Sequence, residues 1–288
     1  MDKAAFWQRE GTTWPNHQFS RFVRAGHLRW HVQMAGTGPV LILVHGTGAS
    51  THSWRHMLPL LAQRFTVVAA DLPGHGFTEP AGGAGCSLEG MSESHSRLLE
   101  ALQLEPVFCA GHSAGAAILC RMALDGRLAA RAIVSINGAF MPFGGGAGVV
   151  FAPLARLFSR APFVSQLIAW GAGDPAAVAR VLDSTGSKLD AEGLALYVRL
   201  VREPSHVAGA LCMMSHWNLA GLEGRLRRLT QPLTLIVGEE DRTVPPAQGR
   251  DLLPKLNGGT LIELPGLGHL AHEEQPQKFS ELLMQIFR

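Results

Sequence analysis

Short runs of apolar residues alternate along this chain with segments of helical periodicity. PVLILVHG (39–46) is one such run, and similar ones occur in 65–76, 106–113, 131–138, 232–241 and 259–269. Continuous apolar runs of this length are typical of strands buried on both faces of a parallel sheet. Between two of them, SWRHMLPLLAQRF (53–65) places Trp54, Met57, Leu58 and Leu61 on one helical face. The alternation predicts an α/β fold with a doubly wound, mostly parallel sheet.

The sequence also predicts how the chain divides into domains. The interval between the runs at 131–138 and 232–241 is too long for a loop and is mostly helical in pattern. We expect a core domain formed by 1–138 and 229–288, with an inserted helical cap, or lid, at 139–228. Ligands of open α/β sheets bind beyond the carboxyl ends of the strands, so the cap is expected to cover the pocket.

Composition excludes several classes of protein. Of the 288 residues, 47% are hydrophobic and the net charge is +2, which gives no basic footprint for nucleic acid. The N-terminal segment is polar where a signal peptide needs an apolar core, and we find no stretch suited to spanning a bilayer. The four cysteines lack metal-site spacing, so we expect reduced, mostly buried thiols in a cytoplasmic protein and no bound metal. They are Cys86, Cys109, Cys120 and Cys212.

The stretch GHSAG (111–115) joins a predicted buried strand directly to a predicted helix. On its own, a serine bracketed by glycines could be a tight turn without chemistry. At a strand-to-helix junction, G-x-S-x-G matches a nucleophile elbow, in which a sharp turn exposes the hydroxyl above the sheet. Gly111 and Gly115 would permit the close backbone approach. Ser113 is therefore the candidate nucleophile.

A nucleophilic serine needs a base and an acid that orients the base, and both follow predicted strands downstream. The acid candidates lie together in GEED (238–241), where Glu239 and Glu240 compete with Asp241. We favour Asp241 because it lies furthest into the loop. The base candidate is His269; its rival His272 is expected to lie on the next helix and to face solvent.

An oxyanion needs two backbone donors, and the sequence offers both. The amide of Ala114 directly follows the nucleophile at a predicted helix start. The second donor is expected from the loop HGTGAS (45–50), most favourably the amide of Thr47. The lysine of a phosphate-binding P-loop is missing from this loop.

HGTGAS, DLPGHGFT, GHSAG, GEEDRTVP and GLGHLAHEEQP resemble, in order and spacing, the motifs of the α/β-hydrolase superfamily from about residue 20 onward. The resemblance implies that fold and a Ser–Asp–His triad. Families with an aspartate nucleophile, such as haloalkane dehalogenases and epoxide hydrolases, are disfavoured by Ser113. The alternative position for the acid carries Asn137, which cannot serve.

Longer phrases, among them INGAFMPFGG and HVAGALCMMSHWNL, resemble the magnesium-chelatase accessory hydrolases of bacteriochlorophyll biosynthesis. This resemblance implies a role near the step of magnesium insertion into protoporphyrin, with the chelatase as a transient partner, and it does not settle the reaction. From the triad motifs we expect a cofactor-free serine hydrolase that acts on an ester. Two alternatives stay open. One is a non-catalytic protein that carries a porphyrin for the chelatase; the other is a C–C bond hydrolase acting on a ring-cleavage product.

The remaining histidines and the cap give weaker expectations. His95, His206 and His216 are expected at the surface or in the cap, and Tyr197 is expected to pack on a helix face unless it donates into the pocket. The candidate pocket residues are His45, Gly46, His112, Met141, Phe143 and Trp217.

Between Gly126 and Gly173 the only charged residues are arginines, interspersed with aromatic and aliphatic side chains. This pattern is explained by an ordinary cap core with solvated arginines. It also suits a face that receives a flat apolar ligand with carboxylates, such as a protoporphyrin, or that touches an anionic membrane surface. The arginines are Arg127, Arg131, Arg156 and Arg160.

Overall fold

An eight-stranded sheet forms the centre of the protein in a computed structural model, which describes residues 2–142 and 174–288. The strands are β1 (Ser20–Ala25), β2 (Leu28–Ala35), β3 (Val40–Val44), β4 (Thr66–Ala70), β5 (Phe108–His112), β6 (Ala132–Ile136), β7 (Leu233–Gly238) and β8 (Gly259–Leu264). Their order is β1-β2-β4-β3-β5-β6-β7-β8. β2 pairs antiparallel with β1 and β4, and the other pairings are parallel. The predicted fold class is confirmed.

The apolar runs are continuous because the central strands are covered on both faces. In β3, Leu41 and Leu43 join one buried cluster, whereas Ile42 and Val44 join another on the opposite face. Successive side chains of a strand point to opposite faces, so each face demands an apolar residue at every second position.

Helices pack around this sheet. Those outside the interval between β6 and β7 are α1 (Lys3–Glu10), α2 (Met57–Leu61), α3 (Leu88–Leu102), α4 (Ala114–Leu124), α9 (Ala247–Leu252), α10 (Ala271–Glu274) and α11 (Pro276–Ile286). The described part of that interval holds α5 (Pro175–Ser184), α6 (Ala191–Val201), α7 (Pro204–His216) and α8 (Leu222–Leu226). None of the helices in the described ranges is long and apolar enough to cross a membrane.

Residues 143–173 lie outside the described residues. The candidate pocket residue Phe143, the arginines Arg156 and Arg160 and most of the arginine-rich span fall there. Of that span, Arg127 and Arg131 are described and are exposed. The domain boundaries at 139 and 229 remain a prediction.

The N-terminal helix ties the β6–β7 interval to the core. Phe6 and Trp14 form a buried aromatic cluster with Phe77 of the β4–α3 loop, and Leu196 and Leu200 of α6 complete it. In addition, Glu10 of α1 accepts a 2.6 Å hydrogen bond from Arg199 of α6. Helix α6 is thus held against the core by a segment that precedes the sheet.

Two cysteines correct an expectation from the sequence. Cys86 and Cys212 form a disulfide, whereas Cys109 and Cys120 are buried free thiols. The bridge joins the start of α3 to α7 across a sequence separation of 126 residues. Spacing along the chain gives no sign of such a pairing, because only the fold brings the two side chains together.

Lys3 is a buried cation in the first turn of α1. Its Nζ donates to the carbonyl oxygens of Gly74 and Gly76, each at 2.8 Å. Burial lowers the pKa of Lys3 from 10.5 to about 7, against the opposing attraction of Asp71 and Glu203. In the unfolded chain the ordinary pKa returns, so between these two values the unfolded state binds more protons than the folded state.

Stability should therefore rise with pH from 7 to 9 because of Lys3. We expect the unfolding free energy of the wild type to increase over this range relative to that of Lys3→Met, measured by urea denaturation at several pH values. Lys278→Met, which removes an exposed lysine, is the matched control and should keep the wild-type slope. Equal slopes for the wild type and Lys3→Met would contradict the assignment.

Candidate active site

Ser113 lies in a strained turn between β5 and α4. Its backbone has φ 51° and ψ −117°, a region that residues other than glycine rarely adopt. Three backbone hydrogen bonds hold the turn: the Ser113 amide donates to the oxygen of Ile136, and the amides of Ala116 and Ala139 donate to the oxygen of Ser113. The serine itself is 9% exposed. This is the geometry expected of a nucleophile elbow.

Both glycines of GHSAG are required by close packing. A Cβ on Gly115 would lie 2.2 Å from the oxygen of Val44, at the end of β3. A Cβ on Gly111 would lie 2.5 Å from the amide nitrogen of Ala116. Because the obstructing atoms belong to the backbone, a larger residue could be accommodated only by moving the strand away from the helix.

His269 and Asp241 form a hydrogen-bonded pair after β8 and β7. The Nδ1 of His269 lies 2.8 Å from Oδ2 of Asp241. The other carboxylate oxygen accepts from the amides of Thr243 and Val244, each at 2.8 Å, so the carboxylate cannot rotate freely. Glu239 and Glu240 are exposed. Of the three acids in the motif, Asp241 is therefore the one that contacts the imidazole.

Asn137 connects the loops that carry this pair, a role that the sequence did not reveal. Its Nδ2 donates to the oxygens of Gly268 and His269 at 2.9 and 2.8 Å, and its Oδ1 accepts from the amide of Gly238. Asn137 also has a left-handed backbone, with φ 46°. The sequence excludes Asn137 as an acid, and its position after a buried strand is the available signal for this role.

The HGTGAS loop (45–50) lies against the serine. A Cβ added to Gly46 would lie 3.0 Å from Cβ of Ser113 and 2.9 Å from Nδ1 of His112. Thr47, whose amide is the expected donor, is the next residue along this loop. The amide of Ala114 is the first of α4, where N–H groups have no partner within the helix and carry the positive end of the helix dipole. Both residues expected to supply the oxyanion donors are thus close to Ser113 along the chain or in space: Ala114 follows it directly, and Thr47 follows Gly46.

Three histidines near Ser113 and His269 are buried and neutral: His45, His112 and His272. Burial lowers the pKa of His112 far below its ordinary value and that of His272 to about 3, and it also lowers the pKa of His45. His112 bonds the oxygen of His269 through Nε2 at 2.9 Å. His45 bonds the oxygen of Gly46 through Nδ1 and accepts from the amide of Leu72 through Nε2.

Several expectations for histidines need correction. His45 and His112, both expected in the pocket, are buried, and their bonded ring nitrogens contact backbone in the loops around Ser113. His272 lies on helix α10 as expected, yet it is fully buried rather than facing solvent. His95, which lies outside the expected cap, is buried rather than at the surface. His206 and His216 lie within the range expected for the cap; His206 is buried and His216 is exposed.

A buried polar network explains why His272 is inside. Its Nε2 lies 2.8 Å from Oγ of Ser53, which donates to Glu273 at 2.6 Å. Glu273 also accepts from Tyr197 of α6 at 2.7 Å and pairs with Arg55 at 2.7 Å. Burial raises the pKa of Glu273 despite the arginine. Tyr197 therefore packs in the interior and donates to Glu273 rather than into a pocket.

A small apolar cavity, about 10 Å³ in volume, lies beside the acid. It runs between the ends of β6 and β7 and helix α9, and the amide of one of its residues, Val244, binds Asp241. Its apolar lining includes Phe140, Met141, Val244, Pro245 and Leu252. Met141 and Trp217, both expected in the pocket, are half-buried against the core.

One cluster of possible metal ligands occurs among the described residues. His56, Asp190 and Glu192 lie close enough together to bind an ion, but all three are exposed. Asp190 already has a structural role, because its carboxylate caps helix α6. The cluster lies at the surface and involves none of the residues around Ser113.

Fold and sequence together identify the family. The model of the α/β-hydrolase fold family matches residues 39–276, and the chain belongs to this family. It is 39% identical to the magnesium-chelatase 30 kDa subunit of Rhodobacter capsulatus, over 94% of this chain and 95% of that protein. It is 29% identical to pyrrolizixenacetamide deacetylase of Xenorhabdus hominickii, over 91% and 95% of the two chains.

A solved structure has the same fold as this protein. The crystal structure of an α/β-hydrolase fold protein from Burkholderia ambifaria superposes with a TM-score of 0.78 at 25% identity. The superposition covers 93% of this chain and 97% of that one. The expected resemblance to the α/β-hydrolase superfamily is confirmed.

Proposed function

We propose that this protein is a cofactor-free serine hydrolase in which Ser113, His269 and Asp241 form a catalytic triad. The observation that carries the proposal is the hydrogen bond between His269 and Asp241, at the same sheet edge as the strained Ser113 turn. His112, the residue before the nucleophile, bonds the backbone of His269 directly, which supports a fixed relation between nucleophile and base.

In the proposed mechanism, Ser113 Oγ attacks a carbonyl carbon while Nε2 of His269 takes its proton. Asp241 accepts the Nδ1 proton of His269, holds the required tautomer and stabilises the imidazolium. The amides of Thr47 and Ala114 hydrogen-bond the oxyanion of the tetrahedral intermediate. His269 then protonates the leaving group, and water hydrolyses the acyl-enzyme by the same steps in reverse order.

An ester of an apolar acid or alcohol is the proposed substrate class. The proposal rests on the triad, because the cavity beside Asp241, although lined mostly by apolar side chains, has a volume of only about 10 Å³. The same triad could act on an amide, the bond class that the name of the Xenorhabdus relative indicates for that protein. We expect the substrate to bind between Ser113 and the proposed cap at 139–228.

The biological setting that we propose is bacteriochlorophyll biosynthesis, at the magnesium-chelatase and magnesium-protoporphyrin step. It is supported by the Rhodobacter relative, which is named as a chelatase subunit and is covered along nearly its whole length. The protein would act in the cytoplasm, with the chelatase as a transient partner and peripheral membrane contact through the cap.

Asp241→Asn should lower kcat for a small activated ester by about 10⁴-fold, because the amide holds the wrong tautomer of His269. Glu240→Gln, one residue away and exposed, is the matched control and should keep nearly full activity. Steady-state kinetics with p-nitrophenyl esters measures both. If Glu240→Gln were the inactive variant, the acid would be misassigned.

Titration with magnesium protoporphyrin tests the proposed setting. Because six tryptophans are present, binding should quench the intrinsic fluorescence saturably. Binding by an inactive wild type would favour a carrier over an enzyme. The absence of quenching would argue against a porphyrin ligand without affecting the proposed hydrolase chemistry.

A further inference from the structure

Helix α7 contacts two loops of the active site through a buried histidine. His206, in its first turn, is buried and makes two hydrogen bonds to backbone. Its Nδ1 accepts from the amide of Gly76 at 3.0 Å, and its Nε2 lies 3.1 Å from the oxygen of Gly48. The imidazole thus joins the HGTGAS loop to the β4–α3 loop.

These two contacts define the protonation state of His206. A nitrogen that accepts from an amide carries no proton, so Nδ1 is bare and Nε2 donates to Gly48. Burial lowers the pKa of His206 to about 3, and the nearby Lys3 acts in the same direction. The neutral tautomer is therefore retained at neutral pH.

The contact with Gly48 is relayed to Thr47 through two peptide units. The Gly48 oxygen and the Ala49 amide belong to one peptide, and that amide donates to the oxygen of Gly46 at 3.2 Å. The Gly46 oxygen and the Thr47 amide belong to a second peptide unit, which lies two units earlier in the chain. Because C=O and N–H of a trans peptide point in opposite directions, fixing the Gly46 oxygen also fixes the direction of the Thr47 N–H.

Gly48 would otherwise leave this loop adaptable. It has φ 81°, and a Cβ there would meet no atom within 4 Å. Two hydrogen bonds hold the peptide between Gly48 and Ala49: the Ala49 amide donates to Gly46 within the loop, and the Gly48 oxygen is bonded to His206 from outside the loop. His45 holds the oxygen of Gly46 directly, and His206 holds the following peptide.

Helix α7 is itself fixed in place. Gly209 packs against Gly74 so closely that a Cβ on Gly209 would lie 2.2 Å from the Gly74 oxygen. One turn later, Cys212 is bonded to Cys86, and Met213 accepts a hydrogen bond from the hydroxyl of Thr47 at 3.4 Å. His206 is therefore presented to the loop by a helix that is anchored over three turns.

We propose that His206 is a positioning residue for the oxyanion hole, and that helix α7 thereby contributes to catalysis without contacting substrate. This inference rests on the proposed serine-hydrolase function. A neutral imidazole donates one hydrogen bond to Gly48, which keeps the amide of Thr47 aimed at the developing oxyanion.

Two substitutions separate the two hydrogen bonds. His206→Asn places its amide near the position of Nδ1, so it can serve Gly76 but cannot reach Gly48. His206→Gln reaches the position of Nε2 and can donate to Gly48. We expect His206→Asn to lower kcat by about 10-fold to 100-fold with little change in KM, and His206→Gln to restore most of kcat. His216→Gln, at an exposed histidine of the same helix, is the matched control and should match the wild type.

A boronic acid inhibitor supplies a readout that general loosening of the fold would not reproduce. It forms a tetrahedral adduct that occupies the oxyanion hole, so its Ki should rise in His206→Asn by the same factor by which kcat falls. If the wild type is active and His206→Asn has the same kcat, the inference is wrong while the proposed function stands. The same conclusion follows if His206→Gln and His206→Asn are equally impaired. A wild type without turnover or boronate binding overturns both.

Discussion

The strained backbone of Ser113 is the constraint on which the site depends. Strain at such a position costs on the order of 1–3 kcal/mol and persists only where the surroundings enforce it. Here the enforcement comes from β6, which hydrogen-bonds the serine amide, and from the contact of Gly115 with the end of β3. The parallel sheet therefore determines where the hydroxyl is presented, and the later loops are arranged around that point.

A second layer of neutral side chains holds these loops. His112 and Asn137 bond the backbone of His269, while His45 and His206 bond the loop that carries Thr47. Neutral imidazoles suit this role because a buried cation would need a compensating charge, whereas a neutral ring can donate on one side and accept on the other. The site is thus built mainly from side-chain bonds to backbone, which fix its geometry.

The sequence predicted what depends on local pattern. Buried parallel strands, the serine at a strand-to-helix junction and an acid after β7 all follow from periodicity and position along the chain. Pairings between distant segments were not predictable in this way. The disulfide between Cys86 and Cys212 and the burial of His272 against Ser53 depend on packing. From its place three residues beyond His269, His272 is expected at the surface. In the fold it is buried, because it packs against Ser53, which also binds Glu273.

The central claim is that Ser113 is an activated nucleophile, and covalent trapping tests it most directly. The protein is incubated with a fluorophosphonate, and the adduct is located by peptide mass spectrometry. We expect one stoichiometric adduct, on Ser113. It should not form in protein that was heat-denatured before labelling, and it should form far more slowly in His269→Ala. An absence of adduct in the folded protein, or an adduct on another serine, would contradict it.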